Sequence, residues 1–89
     1  MTRISEQDFE MIVNDIASNN IDIKNVVCEG YTATITFLSN SSKGTWDLNF
    51  DLLFQDGEPS MRYWDPYNSL KASSFVETIR RTVKEFINS

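Results

Sequence analysis

Eighty-nine residues suffice for one domain, and a chain of this size buries roughly 60–65% of its unfolded surface, which leaves little for a deep cleft. Apolar residues are 40% of the total and include six Phe, three Tyr and two Trp, a bulk that excludes disorder. Eight basic residues against thirteen acidic ones give a net charge of −5, a balance that repels nucleic acid unless the cations cluster.

The first helix is expected over residues 6–18. Ser5 can cap it, with Asp8 three residues on, and Glu6 and Asp8 suit the positive end of the helix dipole. Phe9, Ile12, Val13, Ile16 and Ala17 recur at helical spacing, and Asn19-Asn20 provides a stop. Residues 23–28 read as a short strand, with Glu29-Gly30 as a two-residue hairpin turn. That turn sets Cys28 opposite Tyr31 and Val26 opposite Ala33.

Period-two alternation is clearest in mid-chain. Tyr31, Ala33, Ile35 and Phe37 point one way, and Thr32, Thr34 and Thr36 the other. Trp46, Leu48, Phe50 and Leu52 alternate likewise with Asp47, Asn49 and Asp51. The intervening Ser39-Asn40-Ser41-Ser42-Lys43-Gly44 is a loop by composition. Asp56-Gly57 marks a further turn, and a fourth strand covers residues 60–64, with Pro59 placing its start away from a central position. Met61 and Tyr63 then face inward, and Arg62 and Trp64 outward, with Arg62 beside the strand that carries Asp47 and Asp51.

Asp65-Pro66-Tyr67-Asn68 breaks the strand, and the last helix begins at a cap on Ser69, or on Ser74 with Glu77. Ala72, Phe75, Val76, Ile79, Val83, Phe86 and Ile87 share one side of its wheel. Glu77 with Arg81, and Arg81 with Glu85, can pair along its exposed side, while Arg80 and Lys84 form a basic stripe. The expected architecture is α+β in the order α-β-β-β-β-α. It is a two-layer sandwich in which a four-stranded antiparallel meander carries the N- and C-terminal helices on one face. Its other face, rich in Thr, Asp and Asn, stays open to water.

The chemistry that the chain lacks narrows its function. There is no histidine, the commonest general base and metal ligand. Cys28 is the only cysteine, so no internal disulfide forms, and its inward direction makes it a packed core thiol. Asp47, Asn49 and Asp51 repeat at about 7 Å along a strand, too far apart to converge on one calcium ion. Gly30, Gly44 and Gly57 lie in separate turns and cannot cradle a phosphate. An enzyme, a cofactor and a resident metal are therefore not expected. No apolar run approaches the ~18 residues of a membrane span, and Met-Thr-Arg-Ile-Ser lacks a signal-peptide core. A cytoplasmic location follows, in which the Asn40-Ser41-Ser42 sequon carries no meaning.

The order helix, antiparallel sheet, helix resembles that of the double-stranded RNA-binding domain, which would imply nucleic-acid binding. That domain starts its second helix with several lysines. Residues 69–77 here hold only Lys71, and the meander has one strand more. The surfaces left over point instead to a protein partner. The candidate binding residues are Thr34, Asp47, Asn49, Asp51, Arg62 and Trp64 on the open face, with Asp65 and Tyr67 in the adjoining turn. An exposed Trp is the residue type found at the energetic centre of interfaces. A small acidic domain of this kind suits a regulator, an inhibitor or an accessory factor, as phages and mobile elements carry. A homodimer through the outer sheet or a strand edge is the alternative. Small-ligand binding is disfavoured, because every aromatic except Trp64 and Tyr67 is needed to fill the space between sheet and helices.

Overall fold

The computed structural model describes residues 4–39 and 44–89. The sequon at Asn40 and most of its loop lie outside the described residues. Six elements follow one another: α1 (Glu6–Ser18), β1 (Ile23–Glu29), β2 (Thr32–Leu38), β3 (Thr45–Gln55), β4 (Glu58–Trp64) and α2 (Leu70–Asn88). The strands form one antiparallel sheet in the order β1-β2-β3-β4. Ala33, Ile35, Phe37, Leu48, Phe50 and Leu52 are buried together with Phe9 and Val13 of α1 and Phe75, Ile79 and Val83 of α2. Phe50 meets Phe9 edge-on at 6.3 Å and lies tilted against Phe75 at 6.1 Å, so both helices cover the same sheet face. The α+β sandwich expected from the alternation is the one observed.

Local chemistry accounts for the ends of each element. Ser5 caps α1, its hydroxyl accepting from the Asp8 amide at 3.0 Å. Ile4 and Phe9, both buried, occupy the two positions of a hydrophobic staple across that cap. The Tyr31 hydroxyl donates to the Ile4 carbonyl at 2.6 Å, tying the start of α1 to the first hairpin. A register shift between Ile23 and Asn25 is a bulge that lets Ile23 and Val26, three residues apart, both pack against the core.

The first turn differs from the expectation. Glu29 pairs with Thr32, so the loop residues are Gly30 and Tyr31 rather than Glu29 and Gly30. Cys28 therefore faces Ala33, and Val26 faces Ile35. Gly30 has φ 64, and a left-handed residue is tolerated at the first loop position when it is glycine. The slip is two residues, which preserves parity, so Val26 and Cys28 keep their inward direction.

The other differences arise at edges and ends. β4 begins at Glu58, two residues before the expected Ser60, and includes Pro59. Asp56 and Gly57 have φ 54 and 81, the pattern of a type I′ hairpin, in which Gln55 and Glu58 exchange the first hydrogen bonds. Pro59, opposite Phe54, then occupies a position whose N–H would face away from β3, where an edge strand loses nothing by lacking it. Helix α2 starts at the earlier cap: Ser69 Oγ accepts from the Ala72 amide at 3.2 Å, and Ser74 lies inside the helix. Phe86 is 39% exposed and Tyr63 42%, although both were expected to fill the core. Each lies near the end of its element, where the opposing layer no longer covers it.

Candidate functional site: the open sheet face

Strand pairing lays the outward side chains in rows that cross the sheet. Asn25, Thr36 and Asp47 form the first row, and Val27, Thr34, Asn49 and Trp64 the second. Glu29, Thr32, Asp51 and Arg62 form the third. Each threonine of β2 donates its hydroxyl to the Asx oxygen directly opposite on β3. The distances are 2.9 Å for Thr32 to Asp51, 2.7 Å for Thr34 to Asn49 and 2.9 Å for Thr36 to Asp47. Cross-strand pairs of this type stabilise a sheet and also fix the rotamers of both partners.

Arg62 extends the third row. Its Nε and Nη2 donate to Asp51 Oδ2 at 3.3 and 2.7 Å. The Arg62 fork and then the Thr32 hydroxyl hold the Asp51 carboxyl below the usual aspartate range. Asp47 is bonded to Thr36 and is exposed. Trp64 ends the second row with its side chain 62% exposed, and Val27 at the opposite edge is 54% exposed. The face is thus a pre-ordered polar plate with an aromatic at one margin and a valine at the other.

Six of the eight residues expected to bind a partner, Thr34, Asp47, Asn49, Asp51, Arg62 and Trp64, share this plate. Asp65 and Tyr67 do not. The Asp65 carboxylate accepts from the backbone amides of Tyr67 at 3.1 Å and Ser69 at 2.5 Å, which shapes the turn into α2. Tyr67 stands edge-on to Trp46 at 5.8 Å, and Trp46 stacks on Phe37 at 4.6 Å on the core side. Tyr67 is 68% exposed, so it covers one margin of the core and still presents its ring to solvent. Val27 and Glu29 also belong to the face. Their signal was the parity of β1: with Cys28 inward, its neighbours must point outward.

The expected basic stripe on α2 is not a free one. Arg80 pairs with Glu77 through a two-point contact, at 3.0 and 2.6 Å, in place of the expected Glu77–Arg81 pair. Lys84 reaches Glu58 of β4 at 2.9 Å, and Lys71 reaches Asp22 at 2.8 Å. Among the described residues no cluster of three or more His, Cys, Asp or Glu could hold a metal ion. No described helix is long and apolar enough to cross a membrane. No protein-family model, curated protein or solved structure matches the chain.

Proposed function

We propose that the protein is a non-enzymatic interaction module, a regulator, inhibitor or accessory factor, that docks one partner protein on the open sheet face. The observation that carries this reading is Trp64. A large amphipathic ring is held at the margin of a rigid polar plate with most of its surface in water, the opposite of what burial alone would select. Because the Thr–Asx ladder already fixes its side chains, docking there orders few rotamers and loses little entropy. The exposed carboxylates of Glu29 and Asp47 call for cations on the partner around a pocket that accepts the indole. A protein is favoured over a nucleic acid because Arg62, Lys71, Arg80 and Lys84 are each held by a carboxylate of the same chain.

The test is capture of the partner from the source cell with the wild-type protein and with Trp64→Ala, followed by reconstitution from purified components. The expected loss on Trp64→Ala is at least ~30-fold in affinity, the scale of a hot-spot residue. The wild-type complex should also weaken as ionic strength rises. A purified partner that binds Trp64→Ala as tightly as wild type would sink the proposal. Sedimentation of the protein alone as a dimer that Trp64→Ala dissociates would assign the face to a second copy instead.

A further inference from the structure

The free edge of β4 is a second surface, independent of the plate. Leu52 of β3 donates its amide to the Tyr31 carbonyl at 2.8 Å, on the β2 side. Its pair with Met61 is therefore one of the non-hydrogen-bonded pairs of the β3–β4 ladder. By alternation the same holds for Phe50 with Tyr63 and Phe54 with Pro59. The backbone N–H and C=O groups of Met61 and Tyr63 consequently point away from the sheet, and β4 is its last strand. Beside this edge runs an open groove of ≈ 700 Å³ between β4 and α2, in which Met61, Tyr63 and Val76 lie alongside Glu77, Arg80 and Arg81. Because Arg80 is paired with Glu77, Arg81 supplies the net positive charge beside this free strand edge, in a chain whose total charge is −5. The β1 edge is less suitable, because the bulge at Ile23/Asn25 interrupts its ladder.

The geometry points to β4 as an acceptor for an extended acidic peptide segment that adds to the sheet as a fifth strand. The segment's backbone would pair with Met61 and Tyr63, and alternate acidic side chains would enter the groove toward Arg81. Main-chain pairing supplies affinity in this mode, and the pockets for alternate side chains supply specificity. Pro59 marks one end of the ladder, since it has no N–H to offer.

The probe is a fluorescein-labelled peptide that alternates Glu with Val, compared by polarisation with its Lys-for-Glu counterpart. Saturable binding of the Glu peptide is expected, and binding roughly tenfold weaker for the Lys peptide or for Arg81→Glu. Met61→Pro removes the outward N–H, together with a side chain that packs against the core, and should abolish binding. A Glu peptide N-methylated on the amides that would face β4 should fail as well, and it leaves the protein unaltered should Met61→Pro not fold. No saturable binding at millimolar peptide, or undiminished binding of the N-methylated peptide, would overturn the inference. So would a dimer of the free protein that Met61→Pro dissociates, since the edge would then belong to a second copy.

Discussion

Arg62 and Asp51 face each other across the β3–β4 ladder, and two guanidinium nitrogens converge on a single carboxylate oxygen while Thr32 takes the other. Because these donors favour the charged carboxylate, its folded-state pKa lies below the ordinary value. A group depressed on folding contributes stability above its unfolded pKa and loses it as pH falls through the folded one. The window therefore opens near about pH 4 and extends downward. Arg62 is 72% exposed in its side chain, so the pair contributes only about 0.5–1 kcal/mol. Arg62→Gln should lower the unfolding free energy by that amount at neutral pH, and the deficit should shrink as the solution is acidified below about pH 4. Urea titrations at both pH values check this, and a deficit independent of pH would show that the aliphatic stem of Arg62, not its charge, matters.

Cys28 provides a second titration test. It lies on the inward side of an edge strand, and burial first, then the nearby charge of Glu10, pushes its thiol up. The thiolate is the reactive form, so alkylation at neutral pH should be slower than for a free thiol of ordinary pKa, about 8.5. The rate should continue to rise with pH beyond that value. Glu10→Gln removes the lesser cause and should quicken the reaction modestly. Iodoacetamide labelling followed by mass measurement reads both effects, and a rate equal to that of free cysteine at neutral pH would remove any protective role for the packing.

The order of elements and the direction of nearly every strand residue were legible in the alternation, because a period of two assigns faces without needing register. That parity placed Thr34, Asn49, Asp51 and Arg62 on one face, with Arg62 beside the strand that carries Asp47 and Asp51. Register itself was not legible at the first hairpin. The expected loop and the observed one both contain Gly30, and only the observed pairing shows which loop position it occupies. Pro59 suggested a late start for β4, yet at a non-hydrogen-bonded edge position proline interrupts nothing. Helix ion pairs were also ambiguous in sequence, since Glu77 has arginines at both three and four residues and only side-chain geometry chooses Arg80. Asp65 was legible as part of a turn, but its two backbone partners were not.

The β3–β4 hairpin depends on its turn residues more sharply than the β1–β2 hairpin. Asp56 and Gly57 both adopt positive φ, where a Cβ is disfavoured and Asp is among the few side chains that tolerate it. Gly57→Ala should cost about 1–2 kcal/mol, and Asp56→Gly should be close to neutral. The loss should appear in thermal melts as a lower midpoint without a change of fold by circular dichroism. Equal effects for the two substitutions would contradict the type I′ assignment. Because this turn sets the position of β4, Gly57→Ala should also weaken the Arg62–Asp51 pair, which a reduced pH dependence of stability would reveal.

The two tryptophans should behave as opposites. Trp46 lies between Phe37, stacked at 4.6 Å, and Tyr67, edge-on at 5.8 Å, whereas Trp64 projects from the end of β4 with 62% of its surface exposed. In Trp46→Phe the remaining emission comes from Trp64, and it should be red-shifted and strongly quenched by acrylamide. In Trp64→Phe the emission comes from Trp46 and should be bluer and better protected. Phe at position 46 keeps a ring beside Phe37 but fills less of the space that the indole occupies, so that variant should unfold at somewhat lower denaturant while Trp64→Phe stays near wild type. A protected Trp64 ring in the free protein would mean that the β4–α2 turn folds over it, and the open face would then lose the residue on which docking most depends. If the partner instead shields Trp64 on binding, quenching should fall in the complex of the Trp46→Phe variant, which ties the spectroscopic signal to occupancy of the face.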